Sequence, residues 1–172
     1  MRLLHDLCMA MIAYDAGDPK RIQHFMKVHA FAGLIAKGEG LDAHTVFVLE
    51  AAAYVHDIGI HEGERLYGRN DGKTQEMLGP AEARPMLEKL GFSVEDTERI
   101  CFLVGHHHSY GKIDGPDFRI LVEADMIVNA YEDGNDRQRN EGLYKNLFVT
   151  DTGRDIFRKL FLEDYAAEPF HA

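Results

Sequence analysis

The chain has 172 residues, of which 45% are hydrophobic and 28% charged, with two cysteines and a formal net charge of −10. Those values fit one soluble domain with a sizeable core. The acidity argues against nucleic acid or an anionic membrane surface as the main partner, since both require basic patches, and Cys8 and Cys101 are too few for a disulfide framework or a thiolate zinc site.

The first residues, Met1-Arg2-Leu3-Leu4-His5-Asp6, carry an early acid and no long apolar core, so no signal peptide is expected. No apolar run is long enough to span a membrane. Reduced thiols in a cytoplasmic protein are the simplest expectation.

In chain order, Leu3, Leu4, Leu7, Met11 and Ile12 recur at helical spacing up to Tyr14. The run Asp15-Ala16-Gly17-Asp18-Pro19 breaks that helix and caps the next, with Pro19 in a first-turn position. Ile22, Phe25, Met26, Val28, Ala32 and Ile35 then give a broad apolar face, ended by Gly38-Glu39-Gly40. Asp42 caps a third helix through Val46, Phe47 and Leu49. It runs into Ala51-Ala52-Ala53-Tyr54-Val55-His56-Asp57-Ile58-Gly59, an apolar stretch that ends in adjacent His and Asp, with Gly59 read as the helix stop.

The segment from Gly63 to Gly79 is polar and rich in glycine, and reads as a long loop with short helical pieces. Pro80 is expected to start the next helix, through Met86, Leu87 and Leu90 to Gly91. Ser93 and Asp96 have capping-box spacing before Ile100, Leu103 and Val104, which lead into Gly105-His106-His107-His108. Tyr110 to Pro116 is a turn region, and Asp117 to Tyr131 a helix. Thr150 opens a last amphipathic helix with Ile156, Phe157, Leu160 and Phe161. The expected class is all-α, a single-domain helical bundle over residues 1–172, with a motif core at about 20–131 and a helical extension at about 135–165.

Chemistry-bearing residues stand where core faces predict apolar ones. A carboxylate and an imidazole at the end of a buried helix are costly unless something compensates them. His24 lies one turn before Val28, His106 and His107 extend the face of Leu103 and Val104, and Asp125 sits inside the run Ile120 to Val128. Together with His56 and Asp57 they supply imidazoles and carboxylates from four helices, a mix that suits Fe, Mn, Co, Zn or Mg.

The order Arg21-x-x-His24-x-x-x-Val28, then His56-Asp57-Ile58-Gly59, then a later His pair, then Ala124-Asp125 resembles the HD superfamily of metal-dependent phosphohydrolases. The resemblance implies an all-α HD-type fold and His24, His56, Asp57 and Asp125 as ligands of one divalent ion (Fe, Mn, Co, Ni, Mg or Zn). It implies hydrolysis of a small phosphorylated, nucleotide-like substrate by a metal-activated water. In two-metal relatives the adjacent Asp bridges to a second ion held by later histidines, the place that His106 and His107 occupy. Two departures stand out: Ile60 replaces a Lys common in relatives, and no His lies between His61 and His106, where two-metal relatives carry one at the start of the following helix. One ion is therefore the expectation. The Gly-Tyr-Pro signature of the cyclic-di-GMP branch is absent as well.

Asp57, His61, His106 and His107 are the candidate catalytic groups, with Glu62 and Glu82 conceivable proton carriers. On helical phase His107 faces the core, His106 sits at its edge, and His108 is expected to be exposed and silent. Arg21, Arg65 and Lys112, with Arg69 and Lys73, are candidate phosphate contacts. His5, His29 and His44 read as structural or surface. Two other functions stay open on this reading: an iron-dependent oxygenase of the same fold, and a metal-binding regulatory module without turnover.

Overall fold

The computed structural model describes residues 2–164, so residues 1 and 165–172 of the expected domain span lie outside it. The fold is all-α: nine α-helices and one 3-10 turn, with no strand among the described residues. Local chemistry sets most helix starts. Asp18 accepts from the Arg21 amide to open α2 (Pro19–Gly38), after α1 (Arg2–Tyr14). Asp42 caps α3 (Ala43–Val55), Asp71 caps α5 (Gly72–Leu90), and Ser93 caps α6 (Val94–Val104). Each side chain bonds one of the amides that a helix start leaves without a partner. α7 (Pro116–Glu132) starts on a proline, and Asp136 and Thr150 cap α8 (Arg137–Asn146) and α9 (Asp151–Phe161). No described helix is long and apolar enough to cross a membrane.

α3 is the central element. It packs against α1, α2, α6 and α7, and Ala51, Ala52, Ala53 and Val55 are all buried. The small Ala side chains let neighbouring helices approach from several sides. α2 packs against both α3 and α7, and Phe25, Val28 and Ile35 share one continuous core with Leu121, Ile127 and Val128. A buried carboxylate ties the C-terminal pair of helices to the rest: Glu123 on α7 accepts from the Val149 and Thr150 amides and the Thr150 hydroxyl, so the turn that opens α9 is anchored to the core.

Two expectations are corrected here. The segment 63–79 is not a loop: α4 (Gly59–Tyr67) and the first turns of α5 occupy it. Pro80 and Pro85 lie inside α5 rather than at its start. Each removes one helical hydrogen bond, and packing of α5 on α4, α6 and α1 holds the helix through them. Gly59 is not the stop of α3 either. That helix ends at Val55, His56-Asp57-Ile58 form the turn, and Gly59 opens α4. Its lack of a side chain serves packing: a Cβ there would sit 2.8 Å from the Gln75 carbonyl oxygen and 2.8 Å from the Gly79 nitrogen. Those are backbone atoms and cannot swing away. Gly59→Ala is therefore expected to cost about 1–3 kcal/mol, the usual scale of overpacking. A denaturant midpoint unchanged from wild type would contradict that close approach.

Candidate metal centre

The turn after α3 delivers His56 and Asp57 to the middle of the molecule. His24 comes from the second turn of α2, and Asp125 from the third turn of α7. Their polar atoms converge. His24 Nε2 is 3.3 Å from His56 Nε2 and 3.2 Å from Asp125 Oδ1. Asp57 Oδ2 is 3.6 Å from both imidazole Nε2 atoms, and Asp125 Oδ1 is 3.6 Å from His56. His107 adds a third imidazole from the turn after α6, with Nε2 3.3 Å from Asp57 Oδ1.

The outer nitrogens fix the tautomers. His56 Nδ1 lies 2.9 Å from the Ala53 carbonyl, and His107 Nδ1 lies 2.9 Å from the Val104 carbonyl. His24 Nδ1 lies 3.1 Å from Glu132 Oε2, a carboxylate that also takes the Lys27 ammonium at 2.6 Å. Carbonyls and carboxylates only accept, so all three Nδ1 atoms carry their hydrogens. In the neutral rings every Nε2 lone pair then points inward, at other lone pairs and at two carboxylates. His107 Nε2 is buried and has no hydrogen-bond partner. Such a cluster needs positive charge.

The charge balance says the same. Burial works against a proton on His24, but the hydrogen bond to Asp125 and the charge of Asp57 outweigh it and hold the pKa up at about 9. His56 is also raised against its burial, by Asp57 and Asp125. Burial pushes Asp57 up, yet His56 and then His107 draw it well below the usual carboxylate range. Asp125 is drawn down in the same way by His24 and His56. Protons can meet that demand, and a metal ion meets it with a better match of donors. Donor atoms about 2.1 Å from one ion lie roughly 3.0–3.4 Å apart, close to the spacing found here. His24, His56, Asp57 and Asp125 therefore fit a divalent cation.

A second cluster shares Asp57. Potential ligand atoms of Asp57, His107 and His108 lie within 4.8 Å of one another, as do those of His24, His56 and Asp57. His108 was expected on the surface. Helix α6 ends at Val104, so the phase of its face does not carry through Gly105, and the turn brings His108 inward. Its Nε2 meets Gln75 Oε1 at 2.6 Å, and Gln75 Nε2 donates to the Asn70 carbonyl, which sets the amide orientation. Nδ1 is then the free nitrogen. Burial and the neighbouring His107 push His108 down to about 4, so its ring is neutral near pH 7. The following helix begins at Gly72, and the first-turn residue that meets this cluster is Gln75, through its side-chain oxygen.

The other residues singled out from sequence go elsewhere. His106 turns away: Nδ1 bonds the Phe102 carbonyl and the ring stacks on Phe102. His61 sits in α4 with Nε2 2.8 Å from Asp15 and Nδ1 2.9 Å from Arg21 Nη1, so it holds those two rather than the cluster. Arg65 is spent on a bidentate pair with Glu62, and Lys112 is exposed on the 3-10 turn with no ion pair among the described residues. Arg21 does reach the site. It is braced by Asp18, His61 and Glu64, and it lines a cavity of about 310 Å³ over the cluster. Lys20, His24, Asp57, Ile60, Gln75 and Asn129 are also on that wall. Asn129, Glu132, Gln75 and His108 were not identified from sequence. The first two were accessible in principle: Asn129 Nδ2 bonds Asp125 Oδ1 at 2.8 Å from one turn later, and Glu132 follows one turn after that.

An HD domain family model matches residues 21–145. The chain belongs to the HD domain family. The match spans both clusters and the cavity wall apart from Asp18 and Lys20. A crystal structure of a predicted HD superfamily hydrolase from an uncultured Thermotogales bacterium aligns with a TM-score of 0.61 and 23% identity, over 92% of this chain and 82% of that one. At that identity the likeness concerns the fold. Comparison with curated proteins gives no match.

Two outcomes follow from this geometry. Excess Mn²⁺ or Co²⁺ should raise the melting temperature of chelator-treated protein, since a ligand at 100 times its Kd adds about 2.7 kcal/mol to stability; superimposable melting curves would contradict the site. His108→Ala should weaken uptake of a second equivalent of metal, while His106→Ala leaves metal content unchanged; the reverse order in a metal titration would contradict the orientation of the turn.

Proposed function

We propose that this HD domain hydrolyses a phosphate ester or anhydride bond of a small, nucleotide-like molecule, with a divalent cation held by His24, His56, Asp57 and Asp125. The observation that carries the reading is the set of inward-facing imidazole and carboxylate atoms on the floor of a polar cavity, within a family known for this chemistry. The cavity, at about 310 Å³, is at the small end of ligand sites. Lys20 and Arg21 are the cations on its wall for an anionic group, beside the carboxylates of Asp18, Glu132 and Asp133, and Asn70, Gln75 and Asn129 offer amides for neutral polar groups.

The cation would supply an activated water near neutral pH and withdraw charge from a phosphoryl oxygen. Asp57 has one oxygen toward His24 and His56 and the other toward His107, so it is placed to orient the attacking water and accept its proton. His107, whose Nε2 lone pair lies 3.3 Å from Asp57 Oδ1, is placed to take that proton from Asp57 and pass it to the leaving oxygen. Arg21 holds the phosphoryl group from the wall. Its three braces keep the guanidinium in one place, so little side-chain freedom is lost on binding.

A second reading rests on the second cluster. Asp57 between two groups of histidines is also an arrangement for two irons and oxygen chemistry. Metal analysis after anaerobic purification, with substrate-dependent oxygen uptake, separates the two.

The direct test is a screen of phosphorylated metabolites and generic phosphodiesters against Mn²⁺, Co²⁺, Ni²⁺, Mg²⁺ and Fe²⁺. Release of phosphate or alcohol that Asp57→Ala abolishes is the expected result. Arg21→Ala should lower kcat/KM by about 10- to 100-fold, the scale of a lost charge-assisted hydrogen bond. Full activity in Asp57→Ala would contradict the proposal.

A further inference from the structure

The three inward-facing histidines are not held alike. His56 and His107 each follow a helix end, and each rests its Nδ1 hydrogen on a carbonyl three residues back, Ala53 and Val104. Carbonyls in the last turn of a helix have no intrahelical partner and are free to accept. His24 lies in the interior of α2, from Pro19 to Gly38, where the backbone carbonyls are already engaged. It has no such acceptor of its own. Its Nδ1 instead meets Glu132 Oε2, at the last residue of α7.

Glu132 follows Asp125 by seven residues, two helical turns, so both lie on one face of α7. That face grips both nitrogens of the same ring: Asp125 Oδ1 is 3.2 Å from Nε2, and Glu132 Oε2 is 3.1 Å from Nδ1. The other oxygen of Glu132 takes the Lys27 ammonium, which projects from α2 one turn after His24. Lys27 thereby favours the ionised carboxylate that the His24 N–H requires.

We propose that Glu132 is the positioning residue of the metal centre: by accepting the Nδ1 hydrogen of His24 it fixes that ring's tautomer and orientation and strengthens its Nε2 as a ligand, with Lys27 holding the carboxylate in place. This rests on the metal reading above and adds to it the one histidine support, among these three, that is made by a side chain. Partners of this kind change metal affinity by about 10- to 100-fold when removed.

The test uses the full chain loaded with Zn²⁺. Zinc affinity is measured by competition with a chromophoric chelator, and the His24 ring nitrogens are followed by ¹⁵N–¹H NMR, for wild type and for Glu132→Ala, Glu132→Gln and Lys27→Met. In wild type His24 should show a slowly exchanging Nδ1 hydrogen. Glu132→Ala should lose that signal and bind zinc about 10- to 100-fold more weakly. Glu132→Gln still offers an oxygen to Nδ1–H, so it should keep the signal and recover most of the affinity. Lys27→Met should keep the signal with a smaller loss. A merely structural Glu132 would lower the melting temperature without moving the His24 signal. Wild-type affinity and an unchanged His24 signal in Glu132→Ala would overturn the assignment while leaving the metal site standing. If wild type itself bound no zinc, the metal reading would fall and this assignment with it.

Discussion

Everything about the centre of this protein depends on one electrostatic constraint. Two imidazole Nε2 atoms and two carboxylates converge, a third imidazole, His107, meets the outer oxygen of one of those carboxylates, and each imidazole already has its hydrogen committed on the outer side. Lone pairs packed together in a poorly solvated interior repel, and a carboxylate there without a cation is unfavourable. The carboxylates of Asp125 and Asp57 raise the pKa of His24 against its burial, the direction expected of a cluster that favours positive charge. A divalent ion would satisfy His24, His56, Asp57 and Asp125 at once, and removing any one of them would leave the others facing a charge that no longer balances. The arrangement is one that a divalent cation fits.

The helices are arranged to make that receptacle rigid. α3 is buried on most sides and ends at Val55, so His56 enters the interior with its ring against the helix's own free carbonyl. α6 ends at Val104 and does the same for His107. Helix C-termini carry partial negative charge, which adds to the attraction for a cation. α2 and α7 pack side by side and clamp His24 between Asp125 and Glu132. The tight contact of α4 with α5, made possible by Gly59, closes the far side and brings Gln75 to His108. Asn129 then orients Asp125 from the next turn. The groups that would hold an ion are thus backed by a layer that fixes their direction.

Much of this was legible in the sequence because the rule being broken was local. His24 and Asp125 interrupt apolar helix faces, and His56-Asp57 ends an apolar run; a polar group on a core face stands out at helical spacing. The all-α class followed from the same periodicity. What was not legible depended on the third dimension. Residues 63–79 look like a loop because they are polar and glycine-rich, yet α4 and α5 occupy most of them, and packing outweighs the weak propensity. The histidine run could not be phased because α6 stops before it: His106 turned to Phe102 and His108 turned inward, where continued helical phase put His106 nearer the site and His108 outside it. Arg65 and Lys112 are basic residues near the site in sequence, but a nearby Glu62 takes the first and solvent the second. Gln75 escaped notice because its partner, His108, is 33 residues away.

The central claim is that His24, His56, Asp57 and Asp125 share one ion. The most direct measurement is anomalous diffraction from crystals of the protein grown with Mn²⁺ or Co²⁺, with data collected on both sides of the metal's absorption edge. The account predicts a strong anomalous peak within coordination distance of His24 Nε2, His56 Nε2, Asp57 and Asp125. A peak elsewhere, or well-ordered side chains around a point with no anomalous signal at saturating metal, would contradict it.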